Sequence, residues 1–318
     1  MAEIGYHLSS EEHMPNDLVR FAHRAEHAGF RFITISDHYH PWIDQQGQAP
    51  FVWNVLGAIA HVTHEVPVGT AVTCPTFRIH PAIITQAAAS TAAMMPGRFF
   101  LGLGSGENLN EHILAQRWPP PDIRLEMLEE AIDIIRLLWE GEEASYYGEY
   151  YDVEDARIYT LPDQPPPIVV AASGQNAAEL AGRAGDGLMS TAPEEEVIQQ
   201  YVDAGGRGKP RYGKVTVCWA ESEEEGVEMA FKVWPNTGIK GNLNAELPKP
   251  SHFEQAIQMV TKEDIKEKIV CGPDVERHLQ IVRKYIDAGF DHLFVHQVGP
   301  HQEDFFQFYE KHILPEFL

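Results

Sequence analysis

Eight short runs of apolar or β-branched residues recur along the chain, with amphipathic helical stretches between them, and that alternation leaves few folds open. The runs are EIGYHL, FITISDH, VPVGTAVTCP, RFFLGLGSG, PIVVAASG, DGLMSTA, KVTVCWA and HLFVHQVG. Strands separated by helices are joined in parallel, and the helices cover the sheet. Eight of them suit an α/β fold of the closed (β/α)8 or TIM-barrel kind, carrying insertions. A length of 318 residues also allows two smaller domains. No Ser/Gly linker or low-complexity tract divides the chain, so the reading is one barrel domain over 1–318. Two stretches break the alternation. Residues 145–160, SYYGEYYDVEDARIYT, read as a β-hairpin, and 235–262, rich in Pro, Gly, Asn and Lys, reads as an insertion fit to lid a pocket.

Between the strands, RLEMLEEAIDIIRLLW repeats Leu125, Leu128, Ile132, Ile135, Leu138 and Trp139 at helical spacing, an apolar stripe that must pack on the sheet. AEHAGFRFITISDHY and IDAGFDHLFVHQVG echo each other. Each has a helix closed by Gly, where a left-handed cap costs little, followed by a strand that ends in a histidine.

Charge narrows the partners. Against 24 Lys plus Arg stand 47 Asp plus Glu, a net charge of −23, which makes nucleic acid or an anionic membrane a poor partner. The three cysteines are far apart, with no C-x-x-C, so neither a disulfide framework nor a thiolate zinc site is indicated. Its N-terminus, MAEIGYHLSS, has neither a basic segment nor a long apolar core, and no run reaches the length of a membrane span. The expectation is a cytoplasmic protein acting on a small molecule.

In a (β/α)8 barrel the chemistry gathers where the C-terminal ends of the strands converge. Asp37, His38, Glu107 and His296 fall at such ends. SDHYHPW (Ser36 to Trp42) places an acid, two histidines and two aromatics directly after a strand. His38 and His40 have the spacing of a metal site, with His296 available as a further ligand, so a metal-dependent hydrolase is one alternative. For His40 a hydrogen-bonded structural role is the stronger reading. Trp42 suits core packing and the wall of a pocket about equally. LGLGSGENLNE is spaced G-x-G-x-G and fails the dinucleotide fingerprint, though its glycines permit close approach to a flat ligand. Glu107 there suits a helix N-cap. VVAASGQNAAELAG ends a strand and opens a helix, leaving the amides of Ser173 to Asn176 free for an anion.

Together, SDHYHPW, GTAVTCPTFRIHPAIITQAAA, PGRFFLGLGSGENLNE, AGRAGDGLMST and AGFDHLFVHQVG resemble the luciferase-like superfamily, in its branch of deazaflavin (coenzyme F420)-dependent oxidoreductases. The resemblance runs over nearly the whole length. It implies an insertion-bearing barrel, usually a homodimer, that transfers a hydride from a carbinol or hemiacetal carbon of a sugar, sugar phosphate or secondary alcohol to C5 of the deazaflavin. By the same resemblance His38 is the base, Trp42 holds the substrate against the ring and Glu107 serves N1. Asp37, Cys74 and Asn110 lie around the cofactor, a non-proline cis peptide joins Ala71 and Val72, and Ser173, Gly174, Gln175 and Asn176 hold the phosphate-bearing tail. Thr191, Lys240 and Lys266 match or neighbour the family's substrate-phosphate residues. One family lysine falls on Glu194, and an arginine falls on or beside Glu267. A carboxylate repels a phosphate dianion, which argues against glucose 6-phosphate as substrate. An FMN-dependent monooxygenase of the same superfamily is the other alternative.

Overall fold

The computed structural model describes residues 2–317. Its strands, in chain order, are β1 (Glu3–Leu8), β2 (Ile33–Ile35), β3 (Val68–Thr70), β4 (Phe99–Leu103), β5 (Ala144–Tyr147) and β6 (Asp152–Ala156). They continue with β7 (Ile168–Ala171), β8 (Gly187–Ser190), β9 (Arg211–Cys218), β10 (Val270–Cys271) and β11 (His292–Gln297). Parallel pairing runs β11-β1-β2-β3-β4-β7-β8, and β9 bonds both β8 and β11, so the sheet closes into a (β/α)8 TIM barrel. Each of the eight apolar runs supplies one of these strands. β10 adds to β9 outside the ring, and β5 and β6 form a separate antiparallel hairpin.

Alternation along each strand divides the residues between two cores. Ile33, Ile35, Leu101, Leu103, Val215, Val217, Leu293 and Val295 face the helices and merge with them into the large outer core. Phe32, Phe100, Val169, Met189, Tyr212 and Phe294 point inward and fill the barrel. Room for those rings comes from glycine: a Cβ on Gly5 would lie 2.6 Å from Phe32, and one on Gly69 2.2 Å from Phe100. The helix Pro121–Leu138 buries Leu128, Ile132, Ile135 and Leu138, as its spacing predicts. Each such side chain contributes roughly 1.5–3 kcal/mol when buried. Gly29 (φ 91°) and Gly289 (φ 101°) are left-handed, which an L side chain resists.

Residues 235–262 fold into short helical pieces, among them Leu243–Glu246 and Pro250–Ala256. Phe253 from this region and Trp234 just before it pack with Trp42, Ile43, Leu109 and Val298 into a second apolar cluster. Among the described residues no helix is long and apolar enough to cross a membrane.

Candidate active site

Polar residues follow β1 and β2 and meet in front of the barrel. Ser10 donates its backbone N–H to Ser36 Oγ at 2.9 Å, which clamps the two strand ends together. Ser36 Oγ (2.6 Å) and Ser9 Oγ (3.0 Å) both donate to one oxygen of Glu11. The other Glu11 oxygen lies 3.4 Å from His38 Nε2, and Glu107 Oε2 lies 3.6 Å from the same nitrogen. On the far side of the ring, Nδ1 is 3.1 Å from the His40 carbonyl, which can only accept. Asn110 Nδ2, a donor, stands 3.3 Å from the same Nδ1, so that nitrogen has a partner in either tautomer, while Nε2 faces two carboxyls.

Asn110 fixes this arrangement. Its Oδ1 accepts the amides of Tyr39 (2.9 Å) and His40 (3.2 Å), and its Nδ2 donates to Glu107 Oε2 at 3.2 Å. Glu107 stands at the N-cap position of the turn Asn108–Glu111, yet its side chain makes no cap bond. The N-cap expectation for that carboxyl is therefore replaced by its bond to Asn110. Trp42 is buried, with its ring 5.1 Å from His38 and 5.2 Å edge-on to Phe253. His40 donates Nδ1–H to the Leu109 carbonyl at 2.9 Å, the structural role its sequence context favours.

Burial works against charge on Glu11, but His38, Lys214 and the Ser36 hydrogen bond outweigh it and hold the carboxyl at about 2. It is ionised at neutral pH. Burial dominates at Glu107 and raises its pKa despite the nearby His38. His7 and His296 lie deeper in the barrel, where burial and Lys214 push both well down.

The sequence profile of the luciferase-like monooxygenase family matches residues 1–292. The chain belongs to the luciferase-like monooxygenase family. It is 35% identical over 324 residues to an F420-dependent glucose-6-phosphate dehydrogenase of Microbacterium testaceum, covering 98% of this chain and 96% of the relative. A namesake from Kribbella flavida is also 35% identical, covering 98% and 97%. A solved F420-dependent secondary alcohol dehydrogenase, in complex with an F420-acetone adduct, superposes with a TM-score of 0.92 at 27% identity, over 98% of both chains.

Other predicted residues of this luciferase-like barrel are more dispersed. The Ala71–Val72 peptide is cis. The glycines of β4 and the turn after it approach that segment: a Cβ on Gly102 would lie 1.9 Å from the Thr70 carbonyl, on Gly104 2.6 Å from Val72, and on Gly106 2.4 Å from Cys74 Sγ. Two backbones need that closeness to pack, a role for these glycines beside the approach to a flat ligand. Cys74 is buried and its thiol meets Thr76 Oγ1 at 3.0 Å. Asp37 is buried in a pair with Arg78 Nη2 at 2.8 Å and accepts Thr73 Oγ1 at 2.9 Å. Ser173, Gln175 and Asn176 are exposed at the start of the helix Gln175–Ala184, where no side chain caps the Gly174 N-cap. Thr191 is exposed after β8. Lys240 is exposed and paired with Asp264 at 3.0 Å, and Lys266 is exposed on the helix Lys262–Lys268.

Glu11, Glu12 and Lys214 are titratable groups of the site that were not singled out in the sequence. Glu11 and Glu12 follow a strand in a cluster of polar residues, the same signal that marks SDHYHPW. Lys214 shares the inward face of β9 with Tyr212 and Thr216, a period-2 pattern. Glu12 accepts the Gly299 amide at 2.9 Å and meets His296 Nε2 at 3.1 Å, while burial raises it to about 7. A carboxyl raised above its ordinary 4.5 keeps its full stabilising contribution below that value and loses it as pH climbs through about 7. Glu12→Gln has no such loss. Its stability relative to the parent is expected to rise between pH 5 and pH 8 by up to ~3 kcal/mol, at about 1.4 kcal/mol per pKa unit. Urea unfolding at both pH values measures this, and an unchanged difference would overturn it.

Proposed function

We propose that this protein is an F420-dependent dehydrogenase acting on a CH–OH group of a secondary alcohol, sugar or sugar phosphate. The observation that carries this reading is the His38 imidazole, with its Nε2 between Glu11 and Glu107 and its ring against Trp42. The relatives of matching length and the alcohol dehydrogenase of matching fold support it.

The residues present suit the cofactor. His38 and Glu107 keep 10% and 33% of their side chains open, so they face the mouth and not the core. Uncapped amides at Gln175–Ala184 suit a phosphate-bearing tail, with Ser173, Gly174, Gln175 and Asn176 around it. Ala71, Val72, Cys74, Asp37 and Asn110 would border the ring. When bound, F420 supplies the deazaflavin carbon that accepts a hydride from the substrate's carbinol carbon.

The chain's own groups handle the proton. His38 Nε2 takes the substrate hydroxyl proton as general base. The imidazolium formed then lies 3.4 Å from the ionised Glu11, which stabilises it without competing for the proton, since Glu11 gives up its own at about 2. Glu107, with its affinity for a proton raised, is suited to hold one at Oε2. Trp42 and the cluster around Phe253 exclude water from one side of His38. Thr191, Lys240 and Lys266 are the outer substrate candidates, with Glu194 and Glu267 opposing a phosphate there.

Titrating the purified protein with F420 and screening alcohols, sugars and sugar phosphates tests the reading. Loss of the oxidised cofactor's visible absorbance on adding substrate is the expected result. Copurified FMN with oxygen consumption, and no F420 turnover, would replace it with a monooxygenase.

The chain is read as one domain, cytoplasmic and homodimeric. Support for the dimer is an exposed apolar groove lined by Phe51, Trp53, Ile79 and Ile83, in which Phe51 is 50% and Ile83 56% exposed. Light scattering is expected to give twice 35.7 kDa, and Ile83→Glu to shift the mass toward a single chain. A single-chain mass for the parent at micromolar concentration would remove the dimer.

A further inference from the structure

One cation inside the barrel has no partner. Lys214 pairs in register with Phe294, whose ring fills the barrel, so its side chain also points inward, one step closer to the mouth than Tyr212. Its ammonium lies 5.7 Å from the centre of the Trp234 ring and makes no hydrogen bond or ion pair among the described residues. The nearby carboxyls are committed elsewhere. Glu11 serves Ser9, Ser36 and His38; Glu12 serves Gly299 and His296; Glu107 serves Asn110. Three N–H donors with no acceptor, on a partly buried ammonium, form a site for a ligand oxygen.

We propose that Lys214 is a substrate-binding residue that takes an anionic oxygen group, a carboxylate or a phosphate, carried by the alcohol that His38 deprotonates. The inference rests on the dehydrogenase reading for its alcohol and on Lys214 itself for the anion. Lys214 and His38 both act on the buried Glu11, which places the ammonium and the base around one carboxylate. Trp234 and Trp42 belong to one apolar cluster, which offers the substrate's carbon frame a wall between them. Outside the barrel, Lys240 is already paired with Asp264. Inside it, Glu11, Glu12 and Glu107 are held by their own donors, and the partly buried ammonium is screened less by water than a surface lysine is.

Two measurements test this. Glycolate and inorganic phosphate are titrated separately into cofactor-free protein, read by tryptophan fluorescence with Trp234→Phe as the assignment control. Saturable binding is expected, weakened about tenfold or more in Lys214→Met (about 1.4 kcal/mol per decade) and restored in Lys214→Arg. Tighter glycolate assigns a carboxylate, and tighter phosphate a phosphoryl group. With F420 added, KM for the anionic alcohol is expected to rise by about the same factor in Lys214→Met and by far more than the KM for 2-propanol, whose change reads the loss of a cation beside Glu11. No saturable binding of either anion, or equal binding by the parent and Lys214→Met, would sink the proposal. Because the titration needs no F420, loss of the dehydrogenase reading leaves its outcome separate. An equal fall in turnover of the neutral and anionic alcohols would make Lys214 structural, and thermal melts of each variant establish that it is folded.

Discussion

His38→Ala is expected to lower kcat by about two to four orders of magnitude, the usual contribution of a positioned general base. KM for the alcohol should change far less. The reason is local. Nε2 is the ring nitrogen that faces the mouth between Glu11 and Glu107, and the loss of the ring removes the acceptor for the hydroxyl proton. Glu107 stands 3.6 Å away and binds a proton more readily than an ordinary carboxyl, but it is tied to Asn110. The fold should survive, because the Asn110 bonds to the amides of Tyr39 and His40 hold the turn without the imidazole. Initial rates of F420 absorbance loss, with circular dichroism as control, give the measurement. A folded His38→Ala protein that kept more than about a tenth of parental kcat would place the base elsewhere.

The barrel was legible because strands buried on both faces read as unbroken apolar runs, and each of the eight runs became a strand. Their ends were not. FITISDH contributes only Ile33–Ile35 to the ladder, since Ser36, Asp37 and His38 leave the sheet for Glu11, Arg78 and the mouth. His38 and Glu107 could be found because polar groups are costly directly after an apolar strand. Glu11 could not be told from Glu12 in SSEEHMP, because only the fold decides which carboxyl meets two serines and which is sealed against His296. Lys214 was hidden for another reason. Both faces of β9 are largely apolar, so alternation shows that a lysine shares a face with Tyr212 without showing that this face is the inside. The glycines of LGLGSG were visible as a need for closeness, while the partner they approach, the Thr70–Cys74 segment, is remote in sequence.

Arg78→Met is expected to destabilise the protein by roughly 3–5 kcal/mol, the scale for removing one member of a buried ionic cluster. Arg78 lies 6% exposed between two side chains that are fully buried, with Nη2 2.8 Å from Asp37 Oδ1 and Nε 3.6 Å from Glu111 Oε1. Methionine fills much of the volume and leaves two carboxyls facing each other without a cation. Each keeps some support: Asp37 accepts Thr73 Oγ1 at 2.9 Å, and Glu111 accepts the amides of Arg78 at 2.8 Å and Phe77 at 3.2 Å. Those dipoles do not replace a full charge. Burial already raises the Glu111 pKa, with Arg78 among the groups pulling it back, so the substitution raises it further. A carboxyl with a raised folded pKa stabilises most when protonated and loses that contribution as pH rises through the folded value. The defect should therefore be smaller at pH 5 than at pH 8. Asp37→Asn added to Arg78→Met removes one stranded charge and should recover part of the loss. Urea unfolding of both variants at the two pH values decides the matter. A loss below about 1 kcal/mol, or one independent of pH, would mean that Arg78 is solvated and that the cluster does not anchor the turn carrying His38.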